Sequence, residues 1–260
     1  MTEDAKFYVY ASCILLLIGV IGFIANIGNI YLIHLSKTIQ CSYGYICVSH
    51  SIAEALNSFI ACGCPIFITL FDQSLTDSTV TYVIGEAAMG ICVLTSHMCL
   101  YKALNRFVAI TKPFAYRKLF SHESVMCGII ALWTVCVLHS CVGFIDGCYF
   151  AFDPEYMYWY FVDTVCGHFL GFYIDLLYSC LIMMIVIALD LTTLILLITF
   201  RNRSAHQRQA LQSTRCHFLR SILRDDNAPS WNACFLPLAI TDIIGALAEF
   251  LNDDFCLGAL

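Results

Sequence analysis

Charged residues are scarce in this chain of 260 residues. Asp, Glu, Lys and Arg together make up 12% of the sequence, whereas apolar residues make up 60%. A water-soluble globular domain carries roughly 25% charged residues, because its surface must be covered by groups that water solvates. The composition therefore excludes an ordinary soluble domain and predicts that most of the molecular surface faces lipid.

Motifs for catalysis and for metal or nucleotide binding are also missing. The eight histidines form no H-E-x-x-H pattern, and the 16 cysteines form no matched C-x-x-C pairs. Neither G-x-S-x-G nor a Gly-rich phosphate loop occurs. We therefore predict a protein that is not an enzyme, with no catalytic residues, no metal and no cofactor.

Long apolar segments are what the sequence has in abundance. A helix needs about 20 mostly apolar residues to cross a bilayer, whose hydrocarbon core is about 30 Å thick. Five segments meet this requirement, namely 10–33, 43–71, 82–110, 126–146 and 169–200. They are too long and too uniformly apolar for spanning strands. The sequence thus predicts an all-α, polytopic bundle of transmembrane helices.

The distribution of Lys and Arg predicts the orientation of this bundle. The second and fourth connections contain neither residue, whereas the first and third connections and the segment after residue 200 are basic. Basic connections stay in the cytosol, so the amino terminus (residues 1–9) is expected outside the cell, with the chain in the plasma membrane. Residues 10–200 then form the five-helix part. Residues 201–233 form a basic cytosolic segment, expected to contact anionic lipid rather than nucleic acid.

The last part of the chain is ambiguous. Residues 234–251 are apolar, but Asp242, Glu249 and Pro237 oppose insertion, so the transfer of this segment into a bilayer is nearly balanced. It is expected to be a marginal sixth helix, either held in the bundle by its neighbours or lying at the interface. A tail follows over residues 252–260. In neither case are seven spans predicted.

Polar residues inside the apolar segments are functional candidates, because burying them in lipid is costly. Glu54 lies with Ser51 and Ser58 on a polar stripe of the second helix, and Asn26 and Asn29 supply amides in the first. This central polar site either only packs the helices or rearranges during function, and the sequence does not separate the two. Residues near helix ends can also reach the headgroups. A possible ligand pocket comprises Glu86, His97 and Asp175, and the same alternatives apply to Asp190.

Two cysteines flank the aromatic and acidic connection between the fourth and fifth helices. Cys148 and Cys166 lie on the predicted outer side, where an oxidising compartment favours pairing. We predict a disulfide between them, with the alternative that either thiol simply lies at a helix end. Most other cysteines lie within the spans, where a thiol packs as a small apolar group.

The stretch LNRFVAITKPFAYRKLF, residues 104–120, leaves an apolar segment and enters a basic connection. Asn26 lies 28 residues before Glu54, Glu54 lies 52 before Arg106, and Arg106 lies 27 before Trp133. These separations resemble those between the marker residues of the first four helices of rhodopsin-like G protein-coupled receptors. Within that superfamily, residues 20–200 resemble the nematode serpentine receptor class x, through this stretch, SYGYICVSHSIAEAL and CYFAFDPEYMYWYFVDTVC.

The resemblance implies roles for the matching residues. Arg106 takes the place of the arginine that faces a heterotrimeric G protein, Glu54 with Asn26 forms the central polar site, and Trp133 packs the fourth helix. A small-molecule ligand within the bundle and a chemosensory signalling role are implied as well. The residues expected to face the G protein are Asn105, Arg106, Phe107, Pro113 and Tyr116.

Two departures from the family pattern limit these expectations. Asn105 stands where most rhodopsin-like receptors carry an acid, so Arg106 is expected to lack the adjacent carboxylate that restrains the inactive state. The segment 234–251 stands where the sixth and seventh helices are expected. Three hypotheses stay open: a receptor represented by an incomplete chain, a non-signalling relative that associates with full-length receptors, and a small transporter or channel. The internal repeats that a transporter predicts are not seen.

Overall fold

Five long helices dominate the chain. The computed structural model describes residues 3–35, 42–64, 66, 79–153 and 158–213, and side chains only from residue 10 to residue 201 within these ranges. Each long helix contains a stretch long and apolar enough to cross a membrane. The predicted polytopic helical bundle is therefore confirmed. The predicted helix over 234–251, the tail 252–260 and the end of the second predicted span (67–71) lie outside the described residues.

The helices extend beyond several predicted bounds. The first membrane helix is Glu3–Leu35, and the second is Ser42–Asn57, continued by a π-helical turn over Ser58–Gly63. The third is Thr79–Thr111, and the fourth is His122–Ser140, followed by a 3₁₀ turn over Cys141–Phe144. The fifth comprises Val165–Phe169, a π-helical stretch Leu170–Tyr178 and Ser179–Ser213, and a short helix Pro113–Leu119 joins the third to the fourth.

Local capping explains where two of these helices begin. The Oγ of Ser121 accepts a hydrogen bond from the amide of Ser124 at 3.3 Å, which caps the fourth helix. The Oγ1 of Thr164 accepts one from the amide of Gly167 at 3.0 Å, which caps the fifth. Such side chains satisfy amides that the first helical turn leaves without partners. The fifth helix therefore begins four residues before the predicted start at residue 169.

The third membrane helix is the centre of the bundle. It is the most buried of the five, whereas the first helix is the least buried. A core cluster joins the second, third and fourth helices through residues such as Ile46, Leu94 and Ile129. A smaller cluster joins the third to the fifth. There Cys99 and Ala103 meet Ile182 and Val186.

A β-hairpin in the connection between the fourth and fifth helices was not predicted. Strand β1 (Phe150–Asp153) pairs antiparallel with strand β2 (Tyr158–Phe161), with Phe152 opposite Trp159. Aromatic side chains favour strands and stack across antiparallel pairs, which accounts for the pairing of these short segments. We call the end of the bundle that carries the strands the hairpin end. The opposite end, with the short helix Pro113–Leu119, is the Arg106 end.

Candidate functional site

Arg106 lies inside the bundle rather than on its surface. Its side chain is 2% exposed, and its Nη2 donates to both carboxylate oxygens of Asp190, at 2.7 and 2.9 Å. Its Nη1 donates to the hydroxyl of Tyr43 at 3.2 Å. Asp190 belongs to the fifth helix and Tyr43 to the second. The guanidinium of the third helix thus links all three helices at the Arg106 end.

This ion pair corrects one expectation from the sequence. Arg106 lacks an acid in the neighbouring position, but the carboxylate of Asp190 holds it from another helix. The absence of an adjacent acid, expected from the sequence, therefore does not leave Arg106 without a carboxylate. The sequence did contain a sign of this ion pair. A carboxylate in an apolar span needs a cationic partner, and the third helix is the span that carries buried cations.

The neighbours of Arg106 that were expected to face a G protein differ in their exposure. Asn105 is fully buried, and its Oδ1 accepts a hydrogen bond of 3.4 Å from the hydroxyl of Tyr116. Tyr116 is partly buried on the short helix, and Phe107 is partly buried on the third helix. Pro113 is exposed at the first position of the short helix, a position that suits proline because no amide hydrogen is needed there. In this conformation the surface at the Arg106 end presents the short helix and not Arg106.

The polar residues of the first and second helices are joined through Asn29. The amide of Asn26 donates to the carbonyl of Gly22 in its own helix at 3.0 Å. It is Asn29 that reaches the second helix, where its amide donates to Ser51 Oγ at 2.7 Å. No described contact joins Asn26 to Glu54. The amide of Asn26 and the carboxylate of Glu54 therefore contact other residues, and their membership of one polar site stays a prediction.

Glu54 instead belongs to a cluster that the sequence analysis missed. One of its carboxylate oxygens lies 3.5 Å from Nε2 of His50, one turn earlier on the same helix. Nδ1 of His50 lies 3.1 Å from Nζ of Lys102, and Nε2 lies 3.2 Å from Sγ of Cys99. Lys102 is only 4% exposed. A lysine four residues before Arg106, inside an apolar span, was the available signal.

Trp133 lies between the fourth and second helices. Its Nε1 donates a hydrogen bond of 3.0 Å to Ser49 Oγ, and its ring packs against the core cluster of the second, third and fourth helices. This polar bond inside an apolar interface specifies how the two helices meet. The arrangement supports the packing role that the resemblance implies.

Among the described residues, no hydrogen bond or ion pair joins the three predicted ligand-pocket residues to one another. Glu86 is buried beneath the hairpin, where Oε1 accepts a hydrogen bond of 2.7 Å from the amide of Phe150. His97 is farther along the third helix, and its Nε2 lies 2.8 Å from the hydroxyl of Tyr178. Asp175 lies on the same π-helical stretch as Tyr178, and its carboxylate has no hydrogen bond to any residue that the structure describes. Glu86 therefore anchors the hairpin, and His97 and Asp175 remain on facing helices.

A disulfide closes the hairpin end. The sulfurs of Cys148 and Cys166 are bonded, with Cα atoms 5.0 Å apart. Gly147 turns the chain just before Cys148 with φ of 77°, and its carbonyl accepts a hydrogen bond from the hydroxyl of Thr164. A positive φ favours glycine, which has no Cβ. The bridge and the turn together tie β1 and β2 to the start of the fifth helix.

Comparison with known protein families decides what kind of protein carries this site. The model of the family described as serpentine type 7TM GPCR chemoreceptor Srx matches residues 16–225. The chain belongs to the Srx family. The matched region begins within the first helix and includes the other four long helices, the hairpin and every polar residue described above. A search of the curated proteins finds no match.

Membership of the Srx family indicates the general class of this protein and its location in a membrane. The family is a class of serpentine chemoreceptor-like G protein-coupled receptors and not a class of enzymes. Together with the five apolar helices, it identifies a multi-pass integral membrane protein. Within the described ranges, no group of three or more His, Cys, Asp or Glu residues is placed to hold a metal ion.

Proposed function

We propose that this Srx family member binds a small ligand within the bundle and signals through a heterotrimeric G protein at the Arg106 end. The observation that carries the proposal is the Arg106–Asp190 pair, at the position that matches the G protein-facing arginine of the superfamily. An arginine that is held between apolar helices by contacts such as the one with Asp190 is suited to a two-state contact. When the ion pair with Asp190 breaks, the guanidinium of Arg106 becomes available to another acceptor.

The conformation described here corresponds to a resting state in this proposal. Arg106 is almost completely buried, and a G protein in the cytosol has no access to it. Activation then requires the third and fifth helices to separate at the Arg106 end. The equilibrium shifts only as far as the ligand or the G protein binds the separated state more tightly than the closed one.

The charge distribution supports a cytosolic Arg106 end. Lys112, Arg117 and Lys118 are exposed there, whereas the described connections at the hairpin end carry Asp146 and Asp163 and no Lys or Arg. Because basic connections are retained in the cytosol, we assign the hairpin and the amino terminus to the outside and the chain to the plasma membrane.

The ligand site in this proposal lies between the third and fifth helices, toward the hairpin end. Asp175 supplies a carboxylate without a protein partner among the described residues, and the nearby His97–Tyr178 pair supplies a polar contact between the two helices. A carboxylate in such surroundings favours a ligand with a cationic or strongly hydrogen-bonding group. Glu86 is assigned to the hairpin and not to the ligand.

Nucleotide exchange on G proteins tests the proposal without a known ligand. The full chain in lipid nanodiscs is mixed with heterotrimeric G proteins, and exchange is measured for the wild type, Asp190→Asn and the double variant Asp190→Asn/Arg106→Gln. We expect Asp190→Asn to raise basal exchange, because it releases Arg106, and the double variant to lose that gain. If Asp190→Asn folds but produces no exchange with any G protein class tested, the non-signalling relative becomes the better hypothesis.

A further inference from the structure

The short helix Pro113–Leu119 at the Arg106 end has an exposed face on which an aromatic ring lies beside two cations. The side chain of Phe114 is 95% exposed, and Arg117 and Lys118 are exposed on the same helix. Residues three and four apart are neighbours on a helix surface, so these three side chains lie on one face. We call Phe114, Arg117 and Lys118 the basic face.

The other side of the short helix is held by the bundle. The hydroxyl of Tyr116 donates to Oδ1 of Asn105 at 3.4 Å, and its ring stacks on Phe120. Backbone hydrogen bonds continue from the third helix into the short one, because the amide of Lys112 donates to Val108 and its carbonyl accepts from Tyr116, each at 2.9 Å. The direction of the basic face is therefore fixed relative to the third helix.

The neighbouring spans keep the short helix at the surface of the bilayer. The third membrane helix ends at Thr111 and the fourth begins at His122, so one residue precedes the short helix and two residues follow it. Two extended residues reach at most about 7 Å. The headgroup layer on each side of the hydrocarbon core is about 5 to 7 Å thick. The basic face therefore stays within reach of lipid headgroups.

The charge of this connection is positive and is not balanced locally. No Asp or Glu occurs between Thr111 and His122. Neither Arg117 nor Lys118 forms an ion pair with another residue in the part of the chain that the structure describes. A guanidinium offers parallel donors that fit a phosphate group, and an ammonium adds a mobile point charge. The basic face is thus complementary to an anionic phosphate group.

The aromatic ring decides between a dissolved anion and a lipid. Moving a phenylalanine side chain out of water is favourable, and long cationic side chains can keep their charges at the headgroups while the ring enters the acyl boundary. An apolar residue flanked by Lys and Arg is the composition of helices that lie in a membrane interface. The basic face therefore has both parts of a site for an anionic phospholipid.

We propose that the basic face binds phosphatidylserine of the cytosolic leaflet. Phe114 enters the acyl boundary, while Arg117 and Lys118 contact the headgroup. Phosphatidylserine is an anionic lipid of that leaflet, whereas phosphatidylcholine has no net charge. The choice of leaflet rests on the proposed orientation, but the preference for an anionic lipid does not. An acidic surface of a cytosolic protein is the competing occupant.

Hydrogen exchange followed by mass spectrometry tests this site locally. The full chain is placed in nanodiscs of phosphatidylcholine alone or of an equal mixture with phosphatidylserine, and exchange is compared for peptides that contain Pro113–Leu119. Opening of the short helix must release a bound headgroup, so binding slows exchange. Each cation near an anionic surface contributes about fivefold, so exchange is expected to be on the order of 20-fold slower in the mixture.

Matched variants separate the basic face from general attraction. Arg117→Gln and Lys118→Gln are each expected to remove about fivefold of the slowing. Lys112→Gln removes the same charge from an exposed residue that precedes the short helix and is not on the basic face, so the slowing is expected to be retained. Phe114→Ser is expected to speed exchange in both lipid compositions, because insertion of the ring does not depend on headgroup charge.

Three results would overturn the proposal. The first is equal exchange of the wild type in the two lipid compositions. The second is a loss in Lys112→Gln as large as that in Arg117→Gln, which would indicate diffuse attraction. The third is slowing by added heterotrimeric G protein but not by phosphatidylserine, which would make a protein the occupant. The lipid comparison uses neither ligand nor nucleotide exchange, so its failure leaves the proposed signalling function standing, and a lack of signalling leaves the lipid site standing.

Discussion

Among single residues, Arg106 and Asp190 form the contact on which the Arg106 end depends. Both side chains are 2% exposed, and Nη2 of Arg106 makes short charge-assisted bonds to both carboxylate oxygens of Asp190. Removing both charges together is often tolerated in buried pairs, whereas removing one leaves an isolated charge in an apolar surrounding. This asymmetry means that single and double substitutions at the two positions must differ.

Asp190→Asn is expected to lower the free energy of unfolding by about 3 to 5 kcal/mol, because it removes the negative charge that the buried Arg106 guanidinium contacts. Chemical unfolding in detergent micelles measures this change. Asp163→Asn is the matched control. The Asp163 side chain is 95% exposed and contacts an exposed histidine, so its replacement is expected to change stability by less than about 1 kcal/mol.

The double variant Asp190→Asn/Arg106→Gln provides the internal check on this prediction. It is expected to be more stable than Asp190→Asn alone, since no uncompensated charge remains. Equal stability of Asp190→Asn and the wild type would show that the ion pair adds nothing to the fold.

At the scale of elements, the hairpin is held to the third helix by a close backbone approach. A Cβ added to Gly85 would collide with the carbonyl oxygen of Phe150 and would lie 3.0 Å from the ring of Trp159. The neighbouring Glu86 accepts the hydrogen bond from the Phe150 amide. Glycine at position 85 therefore lets β1 lie close enough to the helix for this bond to form.

Gly85→Ala is expected to push the hairpin away from the third helix, because the obstructing atom belongs to backbone and cannot rotate aside. Hydrogen exchange followed by mass spectrometry should then show faster exchange over peptides that contain β1 and β2. Gly28→Ala is the matched control, since a Cβ on Gly28 meets no atom within 4 Å. It is expected to leave exchange in the hairpin unchanged, and equal exchange in both variants would contradict this account of the docking.

For the whole molecule, orientation in the membrane is the property on which the proposed function depends. The exposed cations at the Arg106 end and the acids at the hairpin end give the bundle two faces of opposite charge. Because basic connections are retained in the cytosol during insertion, the proposed orientation places the positive face there. In this orientation, a ligand would enter from outside at one end of the third helix, and a cytosolic G protein would contact the opposite end.

Sided labelling measures this orientation directly. Cysteines introduced as Lys118→Cys and Asp163→Cys are tested in intact cells with a membrane-impermeant thiol reagent, and native thiols are accounted for with the unsubstituted chain. We expect Asp163→Cys to react in intact cells and Lys118→Cys to react only after permeabilisation. The reverse pattern would invert the bundle and remove the basis for coupling at Arg106.

The sequence predicted the helices well and the polar contacts poorly. Hydropathy is a local sum over about 20 residues, so each span could be found without knowledge of its neighbours. The hairpin was missed because each of its strands has only four residues and it depends on packing against the third helix. Alternation over so short a stretch is not distinctive.

By itself, the sequence determined that the chain is a membrane-spanning helical protein, and its spacing of Asn26, Glu54, Arg106 and Trp133 indicated the family. These properties follow from composition and from distances along one chain. Only the tertiary structure decided which charges meet. Asp190 lies 84 residues from Arg106, and His50 lies 52 residues from Lys102. Which carboxylate reaches which cation depends on how each helix is rotated against the next, a property of the packed bundle that no window of sequence contains.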